Sequence, residues 1–408
     1  MILFYILIFC LPIPKHQILS LQLGPVTVLK WFGILCLLAA IFQMLRTGSC
    51  PPLSRLIPSG WYLLFFVIAV GSCVVHDGLS AFGQGAFMYT LSAFSLYIVT
   101  TTMVSDSKSL RWTVLVALGS IAWGSLYVIR QWQQYHSVYP GFRTWGGLSD
   151  DPNYYAVTVV LWLPLVLAWL MSKRPRWEKW FCTGSICVML LGFMFAASRG
   201  GFLGLLGALL FLIWNSRNRL RNFTVVAVLL LPLFIGPRQS VLDRLINPDA
   251  SDQESSNYRL QLWEAAENSF LQHPIFGVGM GHYVPKIHKN GAEIVLPFHV
   301  AHNTYIDLTA DLGLVGLIPF LGILIGSLIN LQRIRRRAAT TDNLPVRQIV
   351  LGLQAGLIGY MICAFFLSTI WLQVMWFAVF LSMCLTRIER LKVAKIAGQE
   401  ATLVASVA

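Results

Sequence analysis

Charge is scarce in this chain. Only 12% of its 408 residues are Asp, Glu, Lys or Arg, about half of what a soluble domain carries. Carboxylates are the rarer kind, 17 against 30 basic side chains. That excludes an ordinary water-exposed globular surface. Cysteines form no pattern either: Cys10, Cys36, Cys182, Cys187, Cys363 and Cys384 lie inside apolar runs, and no pair falls in the long polar segment 237–302. There is thus no disulfide framework and no C-x-x-C metal or redox signature. The first apolar run lacks a basic leader and an A-x-A site, so it reads as a short retained helix. The glycines of GVGMG (Gly277, Gly279, Gly281) miss the dinucleotide spacing and follow no strand; they read as a flexible turn. No internal repeat of the transporter kind is visible.

What the chain has is hydrocarbon. It is 56% hydrophobic, in runs of roughly 15 to 20 residues that recur from end to end. Lipid offers no partner for bare peptide groups, so each run should close its own hydrogen bonds as a helix. The expected fold class is all-α: a polytopic membrane protein with about twelve transmembrane helices, near residues 1–12, 26–45, 60–75, 86–104, 111–129, 154–171, 180–197, 201–214, 222–236, 303–331, 348–367 and 370–386. Residues 1–236 then hold nine helices, 237–302 a large loop with an amphipathic helix, and 303–408 three helices and a tail.

A formal charge of +13 suggests a nucleic acid partner only until the basic residues are located. They sit in alternate connections: Arg46 and Arg55; Lys108 and Arg111; Lys173, Arg174, Arg176 and Lys179; Arg217, Arg219 and Arg221; Arg333, Arg335, Arg336 and Arg337; Arg387, Arg390, Lys392 and Lys395. The positive-inside rule puts these connections and both termini in the cytoplasm, and 237–302 outside. All eight histidines (His16, His76, His136, His273, His282, His288, His299 and His302) then fall on the outer side.

Polar chemistry concentrates between Ser256 and Gly316. From Asn257 to Gln272, Tyr258, Leu262, Ala266 and Phe270 make an apolar stripe, and Arg259, Trp263 and Glu267 the one beside it. Arg259 and Glu267 are two turns apart, too far for a direct helical pair, so the arginine can reach another anion. His273-Pro274 stops this helix. His302-Asn303 opens the tenth span, down which His302, Ile306, Thr309 or Ala310, and Gly313 share a face while Asp307 and Asp311 stack at i,i+4. Carboxylates on a lipid-spanning helix belong on the bundle interior. His299 and His302, with His282 and His288 nearby, are zinc-ligand types without a Cys or carboxylate cluster, and no metal is expected.

Two shorter segments add to this. SDDPN (149–153) reads as a helix start with Asp150 or Asp151 as cap and Pro152 in the first turn; the alternative is that Arg143 or the Asp pair touches substrate. In SRGG, Arg199 stands at a tight turn, either snorkelling to headgroups or meeting an anion at the interface. Gly200 and Gly201 let a bulky group approach the backbone there.

In order along residues 150–316, the layout resembles the O-antigen ligase and polymerase superfamily of bacterial inner-membrane proteins. The matching features are SDDPN, SRGG, R-x-x-x-W-x-x-A (Arg259, Trp263, Ala266), P-x-x-G-x-G-x-G (Pro274, Gly277, Gly279, Gly281), and HN followed by acidic-x-Gly (His302, Asn303, Asp311, Gly313). Asp311 is a departure, since relatives usually carry Glu there. The resemblance implies glycosyl transfer at the periplasmic face of the inner membrane, from an undecaprenyl-diphosphate-linked glycan to a hydroxyl of lipid A-core, inverting, with no metal or other cofactor and no nucleic acid. Membrane lipids are the remaining partner.

Chemistry assigns the roles. Charge grows on the departing diphosphate, which Arg199 and Arg259 can stabilise; guanidinium forks bind phosphate oxygens bidentately and keep their proton. His302 is the expected base for the acceptor hydroxyl, with His299 as a second candidate. Arg143, Asn303, Trp263, His299 and Asp311 are expected at the substrates. A polymerase or a protein O-oligosaccharyltransferase would use the same centre. A solute carrier, for instance of bicarbonate, would instead place ionisable residues near the bilayer midplane of several helices.

Overall fold

The computed structural model describes residues 1–13, 20–23, 26–48, 57–83, 85–139, 143–144, 151–216, 219–220, 223–224, 226–227, 250–289, 292–297, 300–340 and 344–407. Twelve helices occupy them: α1 (Ile2–Cys10), α2 (Val28–Thr47), α3 (Ile57–Asp77), α4 (Gly85–Met103), α5 (Ser107–Tyr135), α6 (Pro152–Leu170), α7 (Arg176–Ala196), α8 (Arg199–Trp214), α9 (Ala250–Gln272), α10 (Thr304–Thr340), α11 (Leu344–Cys363) and α12 (Gln373–Val407). Two small antiparallel ribbons complete it, β1 (Gln22–Leu23) with β2 (Val26–Thr27) and β3 (Lys286–Lys289) with β4 (Ala292–Val295).

This is a multi-pass membrane protein. Eight described helices are long and apolar enough to cross a bilayer: α2 to α7, α10 and α11. The other expected spans differ for visible reasons. The first is a helix of nine residues, too short for a core of about 30 Å. The eighth, α8, has 16 residues; α12 brings Arg387, Glu389 and Arg390 within its first five turns. The expected ninth span, 222–236, lies largely outside the described residues.

Burial separates core from rim. From Tyr155 to Trp169 every residue of α6 is buried, and a helix apolar all round belongs inside a bundle. The first half of α12 joins it, with Trp162 and Phe377 stacked at 5.6 Å. By contrast only 11% of the α2 window is buried, which leaves that helix to the lipid. α11 reaches α6 and α8 through small residues: a Cβ at Gly356 would strike the Leu161 carbonyl, and one at Gly352 would lie 2.7 Å from Leu165 Cα. Such stripes let membrane helices approach closely where no hydrophobic force draws them together.

The arginine-rich end is stapled by a buried carboxylate. Glu178, 0% exposed, accepts from Arg111 Nε at 2.8 Å, from Arg111 Nη2, and from the Trp169 indole at 2.7 Å, joining α5, α6 and α7. Glu178→Ala leaves three donor groups on two side chains without their acceptor and should cost about 2–4 kcal/mol, read as a lower unfolding midpoint in detergent. Glu178→Gln, which keeps one acceptor, should lose less. At the same end Arg335 donates to Asn215 and Arg387 to the Val104 carbonyl.

His76, His136, His273, His282 and His302 all stand at the opposite end, His288 lies in β3, and His16 and His299 lie outside the described residues. There α10 departs from a plain helix. Gly313 has φ 60° and ψ −156°, and the helix breaks around it. The freed groups pair with the loop after α9: Val278 and Gly279 donate to the Ala310 and Asp311 carbonyls, and Leu314 and Val315 donate to those of Pro274 and Ile275, at 2.8–3.1 Å. Gly277, Gly279 and Gly281 all have positive φ. The GVGMG turn is therefore clamped against the break, and its glycines serve close approach rather than flexibility. The single helical face expected from His302 to Gly313 ends at this break.

Candidate functional site

The site grows from the three residues ahead of α10. Asn303 is the N-cap, its Oδ1 accepting from the N–H groups of Tyr305 and Ile306 at 3.0 and 3.2 Å. The cap therefore falls to Asn303, and His302 is not spent on it. His302 instead takes a left-handed backbone, φ 51°. For a non-glycine residue that costs about 1–3 kcal/mol and persists only when neighbours over-determine it.

The neighbours are identifiable. Ala301 is held at both ends: its N–H donates to Asp307 Oδ1 at 2.6 Å, and its carbonyl accepts from the Trp263 indole at 2.8 Å. Asp307 comes from α10 and Trp263 from α9, so the turn is gripped from two elements. Asp307 is 7% exposed. Losing its carboxylate should misplace the imidazole, and a shift of about 1 Å at a reacting group can cost roughly 10²-fold. We expect Asp307→Ala to lower kcat with KM little changed, and Asp307→Asn, whose amide oxygen can still accept from Ala301, to lose far less.

α9 carries the cation. Its register is fixed by Trp263 and by Tyr283, whose hydroxyl donates to the Leu262 carbonyl at 3.0 Å. Arg259 lies one turn before Trp263 on the same face. Burial holds the His302 imidazole below the ordinary histidine value, the Arg259 guanidinium pushes the same way, and the Asp151 carboxylate opposes both. Burial and Arg259 together favour the uncharged, proton-accepting form of the ring. The helix itself begins at Ala250, seven residues before the apolar pattern that suggested Asn257, because its first two turns are polar all round.

Asp151 caps α6, its Oδ1 accepting from Asn153 N–H at 2.6 Å with Pro152 in the first turn; Asp150 lies outside the described residues. Asn153 Oδ1 in turn accepts from Ser198 Oγ at 2.7 Å and from Arg143 Nη2 at 3.0 Å, while Arg143 Nε donates to the Ala196 carbonyl at 3.0 Å. Arg143 thus ties the ends of α6 and α7 together. Ser198 caps α8 directly before Arg199. The preceding Ala197 has φ 45°; it and His302 are the only non-glycine residues with positive φ among the described residues. Both strained positions therefore flank candidate residues.

The turn 364–372 between α11 and α12 links these parts. The Tyr154 hydroxyl donates to the Ser368 carbonyl at 2.8 Å, and Thr304 Oγ1 to that of Leu367 at 2.7 Å. Cys363 Sγ reaches the Gly200 carbonyl at 3.6 Å, and a Cβ on Gly200 would meet Phe366 at 2.8 Å. The bulky group that the SRGG glycines admit is this phenylalanine. Arg199 consequently stands at the same end of the bundle as Arg259 and His302, connected through α6 and this turn.

Asp311, 8% exposed, accepts from Gly281 N–H at 3.0 Å and Tyr283 N–H at 3.1 Å. Its carboxylate anchors the glycine loop. His282 continues the anchor with Nε2 at 2.9 Å from Asp77 Oδ1. His299 lies outside the described residues. Among the described residues no three His, Cys, Asp or Glu side chains cluster to hold a metal ion.

Asp307, the influence of Asp151 on His302, and the 364–372 turn were not read as parts of the site from sequence. Only the i,i+4 spacing of Asp307 and Asp311 pointed toward the first.

Residues 184–321 match the family model described as O-Antigen ligase. The matched stretch runs from within α7 to the first half of α10 and takes in Arg199, Arg259, Trp263, His302, Asn303 and Asp311. Arg143, Asp151 and the 364–372 turn fall outside it. No curated protein matches the chain.

Proposed function

We propose that this protein transfers a glycan from undecaprenyl diphosphate to a hydroxyl of lipid A-core at the outer face of the inner membrane. The observation that carries the reading is the pairing of a neutral, partly buried imidazole with a guanidinium at one strained turn. In the reaction, the acceptor O–H gives its proton to His302 as its oxygen attacks the anomeric carbon. The bond from that carbon to the diphosphate oxygen breaks, and its electron pair leaves on the phosphate. Arg259, with Arg199, receives the growing negative charge. One displacement inverts the sugar carbon, and His302 later loses its proton to solvent.

Transfer from a defined lipid-linked donor to lipid A-core, to a second lipid-linked repeat and to a peptide hydroxyl tests the reading. Turnover with the first acceptor alone is expected. Arg259→Ala should lose roughly 10²-fold or more, as removal of one oxyanion donor does; Arg259→Lys keeps the charge but not the fork and should fall between. A rate for Arg259→Ala within twofold of the parent would remove the assigned cation.

A further inference from the structure

Where α9 ends, three large apolar side chains stand in the open: Leu271 is 68% exposed, Ile275 56% and Phe276 71%. None lies on a membrane-spanning helix. Their backbone is nonetheless fastened to one, since Leu314 N–H donates to the Pro274 carbonyl at 2.9 Å and Val315 N–H to that of Ile275 at 3.1 Å. The tip thus lies beside Leu314 and Ile318, which are themselves exposed on α10.

The length of α10 sets the level of this tip. The apolar helix Thr304–Ala338 has 35 residues, more than the roughly 20 that cross a hydrocarbon core of about 30 Å, and it is broken at Gly313. Arg333, Arg335, Arg336 and Arg337 mark its inner limit. Counting about 20 residues outward, the number that spans the core, arrives at Gly313. The outer edge of the hydrocarbon then coincides with the helix break and with the loop fastened to it. Glu267 and Glu264, exposed one and two turns back from Leu271 on α9, keep that stretch of the helix in water.

We propose that Leu271, Ile275 and Phe276 form an interfacial anchor seated among the acyl chains of the outer leaflet, continuous with the lipid-facing stripe of α10. The occupant is lipid rather than protein because the apolar surface runs without a break onto a spanning helix. The anchor fixes the height of α9, and Arg259 lies 12 residues up that helix, about 18 Å along its axis. The inference stands on geometry and does not depend on the reaction proposed above.

A photoreactive p-benzoylphenylalanine at position 276 tests it, with the full chain in nanodiscs of phosphatidylethanolamine and phosphatidylglycerol. The same group at position 314 reports hydrocarbon, and at position 254, exposed near the start of α9, it reports water. Thermal unfolding checks that each variant is folded. Irradiation should give a phospholipid adduct by mass spectrometry at 276 in a yield close to that at 314 and well above that at 254. A yield at 276 no higher than at 254, or a covalent dimer of the chain in place of the lipid adduct, overturns the proposal.

Discussion

His302→Ala should yield a folded, inserted protein that transfers no measurable glycan. The folding half follows from the neighbours: Asn303 caps α10, and Asp307 and Trp263 hold Ala301, all without using the His302 ring. The activity half follows from its role, since a positioned general base contributes about 10²- to 10⁴-fold. Normal transfer by the alanine variant would dismiss the imidazole as base. The pH profile gives a second test. Because burial and Arg259 hold the ring below the ordinary histidine value, the fall in activity as the base becomes protonated should come at lower pH than for an ordinary imidazole, about 6.5. Asp151→Asn removes the anion that favours the protonated ring, so the acid limb should move to lower pH. Arg259→Gln should move it to higher pH in whatever rate remains.

The second large effect is expected at Gly313. Its backbone, φ 60° and ψ −156°, occupies a region that is essentially closed to other residues, and a Cβ there would collide with the Ile275 carbonyl. Strain of about 1–3 kcal/mol and overpacking of a similar size together give roughly 2–6 kcal/mol for Gly313→Ala. The loop 274–283 should come off α10, so protease cleavage there should rise and activity should fall together with the unfolding midpoint. Gly33→Ala on α2 is the control: nothing lies within 4 Å of a Cβ at that position, and the change should be neutral or stabilise by about 1 kcal/mol. A Gly313 variant that behaves like the Gly33 variant would show that the loop does not need the break.

The spans were legible because lipid leaves the backbone few choices. Apolar runs place α2 to α4, α6, α7 and α11 within about four residues of where they stand, while α5 and α10 run six and nine residues past their expected ends, and arginine placement separates the two ends. The break in α10 was not legible: nothing near Gly313 shows that Ala310, Asp311, Leu314 and Val315 will pair with residues some 35 positions earlier. Composition likewise showed which residue types could meet a substrate without showing their intramolecular partners. Asn303 caps, Trp263 and Asp307 grip Ala301, Asp311 binds loop amides, and Arg143 ties two helix ends. Arg259 and His302 were placed together from motif order, and their electrostatic coupling is a property of the fold.

The all-round burial of α6 has a consequence for biogenesis. Its covering partner α11 is encoded about 190 residues later, a lag of roughly 10 to 40 s at ordinary translation rates. During that interval the Leu161 and Leu165 side of α6 meets acyl chains instead of glycines, so this helix waits in the bilayer for its neighbour. Chains that end before Leu344 never supply it and should be selected by membrane proteases, however intact the candidate site upstream.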